Sequence, residues 1–211
     1  MVLTRGEAGG LTWAVAERPC GGEVESGDAF AVLDREQGPL IAVFDGLGHG
    51  PEAARAARAA VAAVGRSCDQ PIKSLLDRCA MEVRAIRGVV ATVCSFDLLS
   101  SRLTWAAIGN VAGLVLDRPG EAGGRPREVV QIGGVIGPTP PEPRPETVAF
   151  PPGALLVLAT DGIHPDFRQA LDDAAGPAEL AGRLLAVYGV EGDDALVLVA
   201  CSGPAGRPGT V

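Results

Sequence analysis

Three strand-like segments follow one another in the middle of the chain with only short turns between them. Residues 89–98 (VVATVCSFDL), 103–108 and 111–116 are rich in β-branched and other apolar side chains, as strands are. The first two are joined by the polar turn at residues 99–102, and the last two by Gly109-Asn110. Connections this short can join only antiparallel neighbours. The middle of the chain therefore predicts an antiparallel β-meander.

Apolar strand-like runs also lie on both sides of this meander. They cover residues 11–17, 28–34 and 40–45 before it, and residues 154–160 and 195–201 after it. Helical spacing of apolar residues predicts helices over residues 51–64, 71–86 and 177–187. About ten strands and three or four helices in this order predict an α+β sandwich.

The chain shows no composition shift that would mark a linker between domains. Its 211 residues fit one domain with a core of its own. We therefore predict a single domain over residues 1–202, followed by a flexible Gly- and Pro-rich tail over residues 203–211.

Charge and cysteine content argue against several classes of function. The net charge is −8 and no basic stretch is clustered, which argues against nucleic acid or an anionic membrane as a partner. The five cysteines form no CxxC spacing, as is typical of free thiols in a reducing compartment, and two histidines are too few for a zinc site built from Cys and His. The N-terminus lacks the apolar core of a signal peptide, and no apolar run reaches membrane-spanning length. We therefore expect a cytoplasmic protein.

Four aspartates lie beside glycines at predicted strand ends. Asp45 and Asp161 each end an apolar strand before a glycine, and Asp28 and Asp193 each follow a glycine just before a strand. Asp-Gly is a common turn signal, so each aspartate alone is more simply a turn or cap residue. Four separate turns, however, would not need strongly apolar strands leading to each one. Converging carboxylates with nearby glycine carbonyls form the all-oxygen ligand set that suits Mg²⁺ or Mn²⁺.

Five motifs in a fixed order carry a family resemblance. They are SGDAF (26–30), VFDGLGHG (43–50), ATVCSFDLLSSRLTWAAIGN (91–110), LATDGIHPDF (158–167) and GDDALVLVA (192–200). Over roughly residues 12–200 the chain resembles the PP2C-type protein phosphatases, above all the bacterial branch of SpoIIE and the Rsb phosphatases, and within it the RsbX-like stressosome phosphatases. The resemblance implies an α-β-β-α sandwich with two central, mostly antiparallel sheets. It also implies removal of phosphate from serine or threonine with two Mn²⁺ or Mg²⁺ ions.

The resemblance further implies a role for each aspartate. Asp45 matches the carboxylate that bridges both metals, and the Gly46 carbonyl matches a ligand of one of them. Asp28 would bind that same ion, whereas Asp161 and Asp193 would bind the other. Asp194 falls where the family often has Asn, and the choice between Asp193 and Asp194 as ligand stays open. The implied reaction is direct hydrolysis by an activated water, with Asp45 and Asp161 central to catalysis.

Two departures from the eukaryotic branch of the family concern proton donation and phosphate binding. That branch has a histidine directly after its Asp-Gly as a candidate general acid. Here Leu47 takes that place and His49 lies two residues further on, so His49 is either a general acid or a residue that organises the loop. Arg18 is the nearest candidate for the phosphate-binding arginine of that branch, and His164 is expected to be a loop residue near the site.

The architecture favours a substrate among bacterial stress-signalling proteins. RsbX-like phosphatases consist of little more than this domain, which implies phosphorylated STAS-domain proteins of the stressosome as partners. Three alternatives remain. The chain could be an RsbU- or SpoIIE-like phosphatase of an anti-sigma-factor antagonist, a catalytically silent module that binds phosphoproteins, or a hydrolase of small phosphoesters.

Overall fold

Twelve β-strands in two sheets dominate the computed structural model, which describes residues 1–117, 126–171 and 176–203. The strands are β1 (Val2–Ala8), β2 (Leu11–Arg18), β3 (Asp28–Leu33), β4 (Leu40–Gly46), β5 (Val89–Asp97), β6 (Arg102–Ile108), β7 (Ala112–Leu116), β8 (Arg127–Glu128), β9 (Gln131–Ile132), β10 (Glu146–Ala149), β11 (Leu155–Ala159) and β12 (Ala195–Ser202). The helices are α1 (Gly50–Arg66), α2 (Ile72–Val83) and α3 (Pro177–Tyr188), with a 3-10 helix at Pro165–Ala170. The predicted tail, except Gly203, lies outside the described residues.

Each sheet is built almost wholly from antiparallel neighbours. The first has the strand order β1-β2-β12-β11-β7-β8 and the second has the order β10-β6-β5-β4-β3. The exception is the short β9, which pairs parallel to β6. The predicted meander is right for β5 and β6, which form an antiparallel hairpin. It is wrong for β7, because the turn at Gly109-Asn110 leads into the first sheet, where β7 pairs with β11 instead of β6. The predicted α+β sandwich of two mostly antiparallel sheets is confirmed.

Apolar side chains pack in three layers, one between the sheets and one on the outer face of each sheet. Val43 of β4 faces the other sheet, whereas its neighbour Phe44 faces α1 and α2. The outer face of the first sheet is covered by α3 and the 3-10 helix, where Val157 packs with Leu184. Successive strand residues point to opposite faces, so a strand covered on both sides reads as a continuous apolar run.

The helix α1 lies very close to the end of β4 because its buried face consists mainly of alanine. A Cβ placed at Gly46 would lie 2.3 Å from the Ala53 carbonyl oxygen, so only glycine fits there. This close approach fixes the segment between Gly46 and Gly50, which leads from the strand into the helix.

Two further sequence predictions need correction. The sequence pattern predicts no helix or strand over residues 2–8, yet they form β1, which pairs with β2. The two strands are joined by a turn at Gly9-Gly10, where both residues have positive φ. The polar side chains of β1 hide it from an apolar-pattern search, because it is an edge strand with one face exposed. The predicted second helix over 71–86 is shorter and ends at Val83. None of the helices in the described part of the chain has the length and apolarity needed to cross a membrane.

Candidate metal centre

Five aspartates from both sheets meet at one edge of the sandwich. Asp28 opens β3 and lies directly opposite Asp45 near the end of β4. Asp161 follows β11, and Asp193 and Asp194 precede β12, which pairs with β11. The charge of Asp45 interacts with those of Asp161, Asp193 and Asp194. The four predicted ligand aspartates are therefore neighbours.

Asp28 is buried and is held by a side chain from the other sheet. The Thr160 hydroxyl donates to Asp28 Oδ2 over 2.7 Å, and the Leu196 N–H donates to the same hydroxyl oxygen over 3.0 Å. Burial raises the pKa of Asp28 well above its ordinary value, and the neighbouring charge of Asp45 raises it further. Thr160 thus orients a carboxylate that carries an unfavourable charge in the absence of a cation.

Asp45 lies among several like charges. Its pKa is raised to about 8, first by burial and then by the charges of Asp161 and Asp193 and a hydrogen-bond contact with Asp161. Like charges drawn together in a partly buried place destabilise their ionised forms, and a bound divalent cation reverses that effect. The donor chemistry fits Mg²⁺ or Mn²⁺, which prefer carboxylate and carbonyl oxygen.

The two aspartates at the start of β12 have different surroundings. Asp194 is buried and accepts a hydrogen bond on each oxygen, from the Cys20 N–H and the Gly27 N–H, both over 2.8 Å. Asp193 accepts one bond, from the Asp194 N–H to Oδ1, and its other oxygen has no partner within the described residues. Burial raises the pKa of Asp193, and Asp161 raises it further. This geometry favours Asp193 over Asp194 as a metal ligand.

The Gly46 carbonyl is short of a hydrogen-bond partner. The Gly46 N–H donates to the Gly27 carbonyl over 3.0 Å, which makes these glycines the next pair in the β3-β4 ladder. The Gly27 N–H would normally return the bond to Gly46, but it donates to Asp194 instead. The buried Gly46 carbonyl therefore lacks its ladder donor, and a buried carbonyl needs some partner.

Asp161 is exposed and is oriented by Asn110 of the β6-β7 turn, whose side-chain amide donates to Asp161 Oδ2 over 2.7 Å. The following Gly162 is packed against the β12 side of the site, because a Cβ there would meet the Asp194 carbonyl oxygen at 1.9 Å. Sequence reasoning did not single out Asn110 or Thr160, although the first lies in a predicted Gly-Asn turn and the second adjoins a predicted ligand.

The side chains alone do not form a closed metal cage. Within the described ranges, no group of three or more His, Cys, Asp or Glu side chains is already arranged to hold an ion. Mg²⁺ normally keeps several waters and uses one or two carboxylates, so a preformed cage of three side chains is not expected of such a site. Carboxylates without a cation between them also repel one another.

The loop between β4 and α1 carries charged partners at the mouth of the site. His49 is exposed, its Nδ1 lies 3.2 Å from Glu23 Oε1, and its charge interacts with that of Asp193. Arg87, which sequence reasoning missed, donates to the Leu47 carbonyl over 3.3 Å and pairs with Glu52 at 2.8 Å. Arg87 thus connects the loop to the first turn of α1.

Two further residues proposed from the sequence have local structural partners. Arg18 donates to the Val190 carbonyl over 2.7 Å, so its guanidinium supports the loop before β12. His164 precedes the 3-10 helix and accepts from the Asp166 N–H over 3.3 Å at the start of that helix.

Comparisons with known proteins agree on one family and one fold. The family model of Stage II sporulation protein E (SpoIIE) matches residues 35–196. The phosphoserine phosphatase RsbX of Bacillus subtilis (strain 168) is 25% identical over 159 residues, which are 75% of this chain and 78% of that protein.

Two solved structures superpose on nearly the whole chain. One comes from work on the bacterial stressosome as a modular system that has been adapted to control secondary messenger signalling. It has a TM-score of 0.81 and 30% identity, over 90% of this chain and 98% of that chain. RsbX in complex with magnesium has a TM-score of 0.84 and 21% identity, over 95% of this chain and 99% of that chain.

Proposed function

The chain belongs to the SpoIIE family of PP2C-type phosphatases, and from this premise we propose that it hydrolyses phosphoserine or phosphothreonine on regulatory proteins with divalent metal ions. The observation that carries the proposal is the position of Asp45. It lies directly opposite Asp28 in the β3-β4 ladder, and its charge also interacts with those of Asp161, Asp193 and Asp194. One carboxylate thus adjoins every other aspartate of the site.

The proposed ligands divide into two groups around Asp45. Asp28 and the Gly46 carbonyl would hold one ion, and Asp161 and Asp193 would hold the other. When bound, a pair of Mn²⁺ or Mg²⁺ ions supplies a water of lowered pKa and neutralises charge on the phosphoryl group. The protein contributes fixed ligand orientation, through Thr160 at Asp28 and Asn110 at Asp161.

His49 remains the candidate proton donor for the leaving oxygen. Glu23 contacts its Nδ1, which leaves Nε2 as the nitrogen for proton transfer. The pH profile of His49→Asn against the wild type tests this role: loss of the alkaline limb of the profile is expected, and an unchanged profile overturns it.

The proposed substrates are phosphorylated STAS-domain proteins of stressosome-like assemblies. RsbX, a relative over most of its length, is a phosphoserine phosphatase, and the solved chain with 30% identity comes from work on the stressosome. The net charge of −8 is compatible with a protein substrate and does not suit nucleic acid. The cytoplasm, where such regulators act, is the proposed location.

The first experiment measures hydrolysis of p-nitrophenyl phosphate with Mn²⁺, with Mg²⁺ and with a chelator. We expect turnover only with metal, and a loss of at least about a hundredfold for Asp45→Asn. Asp77→Asn on the exposed face of α2 is the matched control and should keep full activity. Metal-independent turnover, or equal turnover by both variants, would falsify the proposal.

The second experiment separates protein substrates from small ones. Phosphate release from a phosphorylated STAS domain is compared with release from free phosphoserine at equal concentration, and the STAS domain is expected to be the better substrate. Binding of the phosphorylated STAS domain without any phosphate release would instead support a catalytically silent module.

A further inference from the structure

A groove of about 410 Å³ lies beside β3 and is lined by residues of three elements. Asp28 and Phe30 come from β3, Glu17 from β2, and Val61 and Ala62 from α1. Because Asp28 lines the groove and also belongs to the candidate metal centre, a molecule lying in the groove would come close to the reacting phosphate.

The backbone of β3 is open toward this groove. β3 is the last strand of its sheet, and none of the described strands pairs with its outer edge. Opposed residues of an antiparallel ladder alternate between hydrogen-bonded and non-hydrogen-bonded pairs. Because Gly27 bonds to Gly46, the pairs formed with β4 by Asp28 and by Phe30 are non-hydrogen-bonded. The N–H and C=O groups of Phe30 therefore point outward, where an extended peptide can pair with them.

Among the described residues that line the groove, Glu17 is the charged side chain that is neither a predicted metal ligand nor part of an ion pair. It is half-buried and has no ion-pair partner in the part of the chain that the structure describes, and burial raises its pKa. The other charged pair of the groove, Glu25 and Arg58, is already joined at 2.7 Å. A carboxylate in a groove that is also lined by apolar Val61 and Phe30 is matched by a lysine or arginine, whose stem packs on apolar surface while its head pairs with the acid.

We propose that this groove binds an extended segment of the phosphoprotein substrate next to the phosphorylated residue, and that Glu17 selects a basic side chain in that segment. The inference rests on the proposed phosphatase function and deepens it, because it assigns a specificity site to the same reaction. The segment adds a strand to β3, and its basic residue lies within a few residues of the phosphoserine, since an extended chain spans about 3.3 Å per residue.

The test uses a set of synthetic phosphoserine peptides of otherwise neutral sequence. Each peptide carries a single arginine, placed in turn at one of the four positions on either side of the phosphoserine. The readout is kcat/KM for phosphate release with Mn²⁺, divided by kcat/KM for p-nitrophenyl phosphate on the same protein. For at least one position we expect about a five- to tenfold gain over the neutral peptide, and a loss when glutamate replaces the arginine.

Two variants link any preference to the groove. Glu17→Gln should abolish the gain from arginine, whereas Glu36→Gln, an exposed residue outside the groove, should keep it. Ala62→Trp, a substitution at an exposed helix position, should lower the peptide ratio by about tenfold. Arg55→Trp, exposed on the same helix but outside the groove, controls for added bulk.

The outcomes distinguish this inference from the proposed function. Absence of metal-dependent turnover of any substrate overturns the phosphatase proposal itself. Turnover with no preference for arginine, or a preference that survives Glu17→Gln, overturns the specificity site alone. Sedimentation that shows a dimer disrupted by Ala62→Trp but not by Arg55→Trp would assign the groove to a second copy of the chain, and also overturns the inference.

Discussion

Replacement of Asp194 should destabilise the metal-free protein strongly, whereas replacement of Asp193 should leave its stability nearly unchanged. Asp194→Ala removes the acceptor of two buried N–H groups, those of Cys20 and Gly27. Each buried donor left without a partner costs about 1–3 kcal/mol, so the free energy of unfolding should fall by about 4 kcal/mol. For a domain of this size that corresponds to a decrease in Tm of about 8–16 °C.

Asp193→Asn leaves every hydrogen bond of its neighbourhood in place. The amide oxygen can still accept from the Asp194 N–H, and the substitution removes a charge that Asp161 and Asp45 disfavour. We expect the free energy of unfolding in chelator to change by less than about 0.5 kcal/mol. Asp194→Asn, which keeps one acceptor oxygen, should lie between the two.

The assay is equilibrium urea unfolding at neutral pH with a chelator present, followed by calorimetric titration of each variant with Mn²⁺. Asp193→Asn should retain stability and lose metal affinity. The reasoning is refuted if the two substitutions destabilise the metal-free protein equally, or if Asp194→Ala unfolds at the wild-type urea concentration.

Three further predictions concern pH, the loop before α1 and the packing of the site. The pKa of Asp45 is raised from 3.8 to about 8 in the metal-free protein, so the native state holds more protons than the unfolded state between those pH values. The free energy of unfolding should therefore fall by on the order of 1 kcal/mol per pH unit as the pH rises through this window. Urea midpoints measured in chelator should show this slope, and Asp45→Asn should flatten it. Arg87→Met removes the bond to the Leu47 carbonyl and should weaken Mn²⁺ binding about tenfold by calorimetry, whereas unchanged affinity would mean that Arg87 does not position the loop. Gly162→Ala places a methyl group 1.9 Å from the Asp194 carbonyl oxygen and should lower the free energy of unfolding in urea by about 3 kcal/mol. Gly182→Ala in α3 is the control and should not have this effect, because its methyl group would meet no atom within 4 Å outside its own helix.

The positions of Asp45 and Asp161 at strand ends could be predicted from the sequence because each follows a continuous apolar run. Their role as metal ligands stays a prediction. The different surroundings of Asp193 and Asp194 could not be read from the sequence, because they depend on the N–H groups of Cys20 and Gly27, which lie at the other end of the chain.

The residues that bond to the predicted ligand aspartates could not be identified from the sequence either. Thr160 and Asn110 act on aspartates of other segments, and Arg87 contacts a loop far from it in the chain. Their residue types are ordinary for a strand end and for turns. The fold class, by contrast, followed from short turns and apolar runs, which are local. Of the described strands, β1 was missed because its pattern is largely polar, and β8, β9 and β10 because they have only two to four residues.

The Thr160 hydroxyl joins Asp28 of one sheet to the Leu196 backbone of the other, and this has a consequence for the order of folding events. Neither sheet alone contains the whole site, so a chain that has formed both sheets but has not docked them cannot bind metal at the native affinity. Interactions made only after docking are absent from an early transition state and act on the unfolding rate. Metal should therefore slow unfolding without accelerating folding, and stopped-flow chevrons recorded with and without Mn²⁺ should differ only in their unfolding limbs.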